Sequence, residues 1–446
     1  MDVKKHLGLI TVLVLVFLLY SPALQVFFSQ DDFFHLSLGQ TYGLNSIIEL
    51  VKPYHGINYR PVFQLTTWFL YKLFGFHPWL FHLVQLIIHL LTVWLFFLII
   101  KKLYDKRLAL WASFFYGLSP CLFMAIYWWG ASHVLLMAFF SLLSFYLLFN
   151  YPWFSSLLFL MALFSNELAV IFPLIALPFL IYRKRVKLGF FLLIPLFAYL
   201  FVRFVFSPPS FTYDYEVSVN ILSLLRNLRW YVLRMLGLPE GIKILLQEQE
   251  FFLLTLINVL LTILNGMVFV RLLYLKLKKF NLKRDFVFVW GVLWFFLGGI
   301  LVFPLVFHQS SFYLVLSLMG FGLFLSFLLN KFVKKKAERI LIGLLYIALS
   351  FTSLVLSQKT HWITRRANLA RKNIDQVAQK FNDLKDEEVM VFLNENQVKA
   401  TEVYLSMSGA DALRVYYKNH KLKVLFEGYD EIPKSKNGVY FFKARE

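Results

Sequence analysis

Long apolar runs recur from one end of this chain to the other, most of them 18 residues or more. About 20 such residues in a helix span the hydrocarbon of a bilayer. A water-soluble fold cannot hide this many of them. Charged residues make up 16% of the chain, against about 25% in ordinary globular domains. Starting inside, the runs predict spans at 7–28, 79–100, 108–127, 132–149, 154–165, 168–182, 188–207, 251–274, 285–305, 310–329 and 340–357. The fold class is therefore an all-α polytopic membrane protein of about eleven transmembrane helices.

The net charge of +20 could suggest a nucleic-acid partner, but its placement excludes one. The basic residues gather in four short stretches beside the apolar runs. They are Lys101, Lys102, Lys106 and Arg107; Arg183, Lys184, Arg185 and Lys187; Lys276, Lys278, Lys279, Lys283 and Arg284; and Lys331, Lys334, Lys335, Lys336 and Arg339. Short basic loops next to spans mark the cytoplasmic side. Eleven crossings put all four there, with the N-terminus cytoplasmic and the C-terminus extracytoplasmic. Lys4 and Lys5 before the first run resemble a signal peptide, but the run is too long and lacks a small-residue cleavage site. The reading is a retained first span. The single cysteine, Cys121, excludes an internal disulfide and any cysteine-based metal site.

Three stretches fall outside the membrane. The first external loop is 29–78. The second, 208–250, opens at Pro208-Pro209, carries Tyr213-Asp214-Tyr215-Glu216, and contains an amphipathic helix over Asn220–Leu236 suited to the bilayer surface. Residues 358–446 form a polar tail, with strand-like runs at Val389–Leu393, Leu422–Phe426 and Val439–Phe442 around helical stretches near 398–418. That alternation predicts a small α/β extracytoplasmic domain following a transmembrane domain over 1–357.

Four features could carry chemistry. Asp31 and Asp32 follow the first span directly, where ionisable groups are functional candidates by default. Such an acid can take a proton from an acceptor hydroxyl or hold a divalent cation; the plain alternative is a solvated acidic loop. Arg60, in Asn58-Tyr59-Arg60-Pro61, has the planar fork that matches a phosphate, or else snorkels to the interface. His82 and His89, seven residues apart, share one helix face; that spacing favours hydrogen-bonded interhelical histidines over metal ligands. Glu167, in Ser165-Asn166-Glu167 between two short spans, is either a loop residue or part of the same external site.

Taken in order, an acidic pair, Tyr-Arg-Pro, the run Gly75–Val84 (Gly-Phe-His-Pro-Trp-Leu-Phe-His-Leu-Val) and Ser-Asn-Glu resemble the C-type multi-spanning glycosyltransferases. The likeness is to the protein O-mannosyltransferase-like branch that includes tetratricopeptide-bearing membrane proteins. It covers residues 25–180 well and the later spans by pattern. Gln85 stands where the family often has Asn, His89 keeps its final His, and Asn166 replaces a Lys. Two departures stand out. The family's Glu-Arg-Tyr-Leu-Tyr-Leu-Pro element reads His-Gln-Ser-Ser-Phe-Tyr-Leu-Val from His308, keeping Tyr313 and Leu314 but not the Arg, and the tail carries no tetratricopeptide pattern.

The resemblance implies an inverting hexosyltransferase of the cell (plasma or inner) membrane. It would move sugar from a polyprenyl-phosphate donor to an acceptor hydroxyl on a protein, glycan or lipid. Asp31, Asp32 and Glu167 are then the catalytic candidates; Arg60, Tyr59, His35 and His82 are the donor-binding ones. Asp31 and Asp32 would hold a magnesium or manganese ion if one is needed. Three other readings stay open: a transporter of lipid-linked glycans, a polysaccharide polymerase or ligase resting on Arg226, Arg229 and Arg234, and a silent scaffold. Mid-membrane charges are few and no repeated halves are visible, which speaks against a transporter.

Overall fold

The computed structural model describes residues 3–53, 58–208, 215–279, 281, 285–384, 388–395, 399–433 and 438–445. Lys283, Arg284, Pro209 and the Tyr213-Asp214 half of the second loop's acidic motif lie outside the described residues, as do the side chains of Lys4 and Lys5.

Helix α1 (Val3–Tyr20) ends in a 3-10 turn over Ser21–Gln25, where Pro22 removes a backbone donor. The first loop then folds into α2 (Asp31–Thr41), α3 (Ile47–Val51) and α4 (Pro61–Phe74). A helical hairpin follows, α5 (Pro78–Leu103) and α6 (Lys106–Gly117), with Asp105 capping α6 by accepting from the Arg107 and Leu108 amides. Beyond Pro120 the chain bends by 47° into α7 (Phe123–Tyr127). Next come α8 (Ser132–Leu147), α9 (Pro152–Ser165), α10 (Phe172–Tyr182) and α11 (Phe190–Phe201). The expected amphipathic helix is α12 (Ile221–Met235), followed by α13 (Ile242–Leu245), α14 (Phe252–Leu277), α15 (Phe286–Gly299), α16 (Val315–Phe332) and α17 (Lys336–Thr360).

Among the described residues seven helices are long and apolar enough to cross a membrane, eight if the bent pair at Pro120 counts as one; Pro152–Ser165, Glu167–Tyr182 and Phe286–Gly299 are shorter apolar helices. Each of the eleven apolar runs is thus occupied by helix. The run at 285–305 stops early, because Gly298-Gly299 and Pro304 favour the turns seen after Gly299. Small residues let α15 and α16 touch: a Cβ on Gly320 would lie 2.4 Å from the Phe295 amide, and one on Gly298 2.7 Å from that of Ser317. Close approach of this kind packs helices where no hydrophobic force acts between them.

The tail begins with α18 (Trp362–Ala378), which the sequence reading left unassigned, and adds α19 (Ala400–Met407) and α20 (Asp411–Tyr416). Three parallel strands, β1 (Val389–Leu393), β2 (Lys423–Phe426) and β3 (Val439–Lys443), form a sheet in the order β2-β1-β3. Met390, Phe392, Phe426 and Phe442 belong to one buried cluster with Phe28, Phe33, Phe63, Phe81 and Trp129. The sheet therefore shares a core with the first loop.

The described residues of the basic stretches sit at one set of helix ends: the end of α5, the start of α6, the ends of α10 and α14, and the junction of α16 and α17. Asp31, Gly130, Glu167, Ser311 and Trp362 sit at the opposite ends.

Candidate functional site

The acidic pair opens α2 out of a tight turn. Asp32 donates its amide to the Ser29 carbonyl at 3.1 Å, and Gln30, in the turn's second position, has φ 50° and ψ −122°. That conformation suits glycine and costs a side-chain-bearing residue about 1–3 kcal/mol. The tail holds it in place. The Gln30 amide donates to the Ser406 carbonyl at 2.8 Å, and its side-chain oxygen accepts from Arg366, whose guanidinium lies 5.1 Å from the Trp362 ring centre.

The turn sends its two acids in different directions. Asp32 is 1% exposed; its Oδ2 accepts from the Ser29 amide at 2.9 Å and its Oδ1 from the Gly130 amide at 2.7 Å. Burial pushes its carboxyl well up against those two bonds. Asp31 instead lines a cavity of about 420 Å³. Burial raises its carboxyl too, opposed by a hydrogen bond to Gln30 and by the charges of Arg366 and Arg60.

Arg60 precedes Pro61, which starts α4 at the position where a missing N–H costs nothing. Its Nε and Nη2 reach the two Glu167 oxygens at 3.0 and 2.5 Å. Nη2 also donates to Asn58 at 2.9 Å, and Nη1 meets His133 Nε2 at 2.9 Å. Arginine only donates, so that imidazole nitrogen accepts; the other faces the Asn166 amide at 3.0 Å. Glu167 is presented by a short 3-10 turn capped by Asn166, which accepts from the Leu168 amide. The two-pronged face of Arg60, expected at a phosphate, is thus taken by Glu167.

Asp31, His35 and Arg60 line the cavity, and Glu167 joins them through Arg60. Asp32 stands one layer behind. The Tyr59 hydroxyl donates to the Val51 carbonyl at 2.7 Å, fastening the loop. His82 is fully buried in α5, its Nδ1 facing Gln85 Oε1 at 3.2 Å, while Gln85 Nε2 donates to the Trp128 carbonyl at 2.8 Å. His82 therefore supports the cavity wall from outside it. His89 faces the Gly117 carbonyl of α6 at 3.1 Å, the interhelical bond its spacing suggested. Arg234 donates to the Leu238 and Pro239 carbonyls, and none of Arg226, Arg229 and Arg234 lines the cavity.

Sequence reasoning missed Gln64, Trp128, Gly130, His133 and Trp362, all of which line the cavity. The tryptophan pair and glycine between two apolar runs were the available signal. Tyr313 and His308, from the element lacking the family's arginine, also line it, and His308 stacks on Tyr215 with ring centres 4.5 Å apart.

Among the described residues no three His, Cys, Asp or Glu side chains gather as a cation site. With both Asp32 oxygens bonded to backbone amides, Asp31 is the one carboxylate among the described residues lining the cavity; of its three histidines, His35 lies one turn on, His133 is engaged by Arg60 and Asn166, and His308 stacks on Tyr215. That donor set does not fit a metal held by the protein alone.

No family model matches the sequence, and no curated protein matches it. Among solved structures the chain is similar to the Archaeoglobus fulgidus oligosaccharyltransferase, crystallised in complex with zinc and sulfate. The TM-score is 0.51 and the identity 14%, over 94% of this chain and 62% of that one. It is also similar to ArnT from Cupriavidus metallidurans bound to undecaprenyl phosphate, with TM-score 0.49 and 13% identity over 96% and 87% of the two chains. The chain spans less than two thirds of the oligosaccharyltransferase's length. The first likeness shows a shared fold with that oligosaccharyltransferase.

Proposed function

We propose that this chain is a membrane glycosyltransferase that moves a hexose from a polyprenyl-phosphate donor to an acceptor hydroxyl, with inversion. The observation that carries the reading is Asp31 facing a cavity it shares with Arg60, in a fold shared with that oligosaccharyltransferase. A donor whose lipid tail stays in the bilayer needs a site at the membrane surface. The cavity lies at the helix ends away from every described basic stretch, the extracytoplasmic side by charge bias. The membrane is then the cell (plasma or inner) membrane, with a protein, glycan or lipid as acceptor.

In this mechanism the Asp31 carboxylate takes the proton of the acceptor hydroxyl as that oxygen attacks the anomeric carbon. The bond from that carbon to the phosphate oxygen breaks, and its electron pair leaves with the polyprenyl phosphate. Displacement from the opposite face inverts the anomeric centre. Burial raises the basicity of Asp31 above that of a solvated aspartate, which suits it to accept a proton. Asp32 positions the turn, Glu167 and His133 orient Arg60, and Arg60 meets the phosphate through its remaining N–H and its charge.

The test is transfer from radiolabelled polyprenyl-phosphate hexoses by the chain in proteoliposomes. Wild type should consume one of them, and Asp31→Asn should abolish consumption while expression and folding persist. Near-normal transfer by that variant would remove Asp31 from its role. Wild type that consumes no donor would end the glycosyltransferase reading.

A further inference from the structure

Trp128, Gln64 and His35 line the cavity, and each has one buried polar atom with no hydrogen-bond partner among the described residues: Trp128 Nε1, Gln64 Oε1 and His35 Nδ1. Trp128 and Gln64 are each only 8% exposed. Buried polar groups in folded proteins are nearly always matched, so unmatched groups on three residues that line one cavity leave hydrogen-bonding capacity beside it for a ligand. The indole N–H can only donate, whereas the amide and a neutral imidazole can each donate or accept. Burial, and then the charge of Arg60, lower the His35 pKa to about 3, so this ring is uncharged at neutral pH. A neutral surface mixing donors and acceptors complements hydroxyl groups, which do both.

We infer that Trp128, Gln64 and His35 form the subsite that reads the hydroxyls of the donor's sugar, and that this sugar carries no charge. The inference rests on the glycosyltransferase reading and deepens it. The three side chains lie where a transferred sugar must be. Gln64 is one turn beyond Arg60 on α4, and His35 one turn beyond Asp31 on α2, so each shares a helix face with a charged partner. A sugar bonded to the phosphate at Arg60 and attacked beside Asp31 sits between those two steps. Phe312 and Trp362, also on the wall, offer apolar faces to the ring's C–H groups.

Trp128 is held rather than mobile. A Cβ on Gly130 would come within 2.8–3.0 Å of its indole, so only glycine lets the ring lie across that backbone. Gln85 fixes its carbonyl, and the Trp362 ring packs edge-on at 5.1 Å.

The experiment measures binding and transfer by the full chain in nanodiscs, using polyprenyl-phosphate mannose, polyprenyl-phosphate glucose, their uronic-acid and amino-sugar counterparts, and sugar-free polyprenyl phosphate. Trp128→Phe keeps the ring and removes the N–H; Gln64→Leu keeps the volume and removes the amide. Each should weaken binding of a sugar-bearing lipid about threefold to tenfold, the value of one lost hydrogen bond. Binding of the sugar-free lipid should stay unchanged, and it serves as the folding control. Equal losses for both lipids, or no loss for either, would overturn the subsite. So would a wild type that prefers a uronic-acid or amino-sugar donor to both neutral hexoses. Transfer by wild type, read in the same samples, keeps these outcomes separate from failure of the glycosyltransferase reading itself.

Discussion

Asp31 and Asp285 are both aspartates at the start of a helix, at opposite ends of the helical body. Asp285 is fully buried and saturated: Lys276 and Lys331 both bond to it, the latter at 2.6 Å, and the Asn281 amide donates at 2.8 Å. It ties α14, α15 and α16 together. Asp31 faces a cavity, no ion pair reaches it among the described residues, and it follows a strained turn. The difference is one of satisfaction. Where every charge has its partners, an acid can only hold structure; where the surroundings leave it exposed to a ligand and raise its proton affinity, it can do chemistry.

That contrast breaks most plainly by substitution at each end. Asp31→Asn should cost about 10²–10⁴-fold in transfer rate and leave thermal unfolding where it was, because no ion pair is lost. Asp285→Ala should do the reverse. It removes a buried carboxylate that Lys276 and Lys331 both bond, a defect worth about 3–5 kcal/mol, read as a large fall in the unfolding midpoint in detergent with unchanged activity per folded molecule. If the two variants gave the same phenotype, the distinction between the acids would collapse.

Asp32→Asn sharpens the comparison from within the pair. An amide cannot accept from both the Ser29 and Gly130 amides, so one buried N–H loses its partner at about 1–3 kcal/mol. Stability should fall by that amount and transfer by less than for Asp31→Asn; a loss of transfer equal to that of Asp31→Asn would make Asp32 the working acid. The smallest effect concerns pH. Only the ionised Asp31 accepts a proton, so activity is lost as pH falls through its pKa. Burial raises that value, so the acid limb should lie above the roughly 3.9 of a free aspartate. Arg366 lowers it, so Arg366→Ala should move the limb still higher in a kcat/KM profile.

The helices were legible because length and hydropathy decide them: each apolar run became helix. The tail strands were legible from alternation, to within a residue at each end. Helix α18 was not assigned, although Ile363, Ala367, Ala370, Ile374 and Val377, all buried, recur at helical spacing. The composition of a polar tail masked them. The acids and Arg60 could be picked out because charge beside apolar sequence is conspicuous. Their roles could not, because these depend on partners distant in sequence: Glu167 for Arg60, Gly130 for Asp32, Ser406 and Arg366 for Gln30. Trp128 was hidden for a simpler reason, since an aromatic residue between apolar runs looks like any other.

The strained turn at Gln30 has a consequence for biosynthesis. Residues 29–32 are made more than 300 residues ahead of the contacts that hold Gln30 in its unfavourable conformation, which come from residues 366 and 406. A growing chain already threaded into the bilayer therefore lacks what sets its acidic turn. The turn can be held in this conformation only once residues 366 and 406 have been synthesised and folded down onto it.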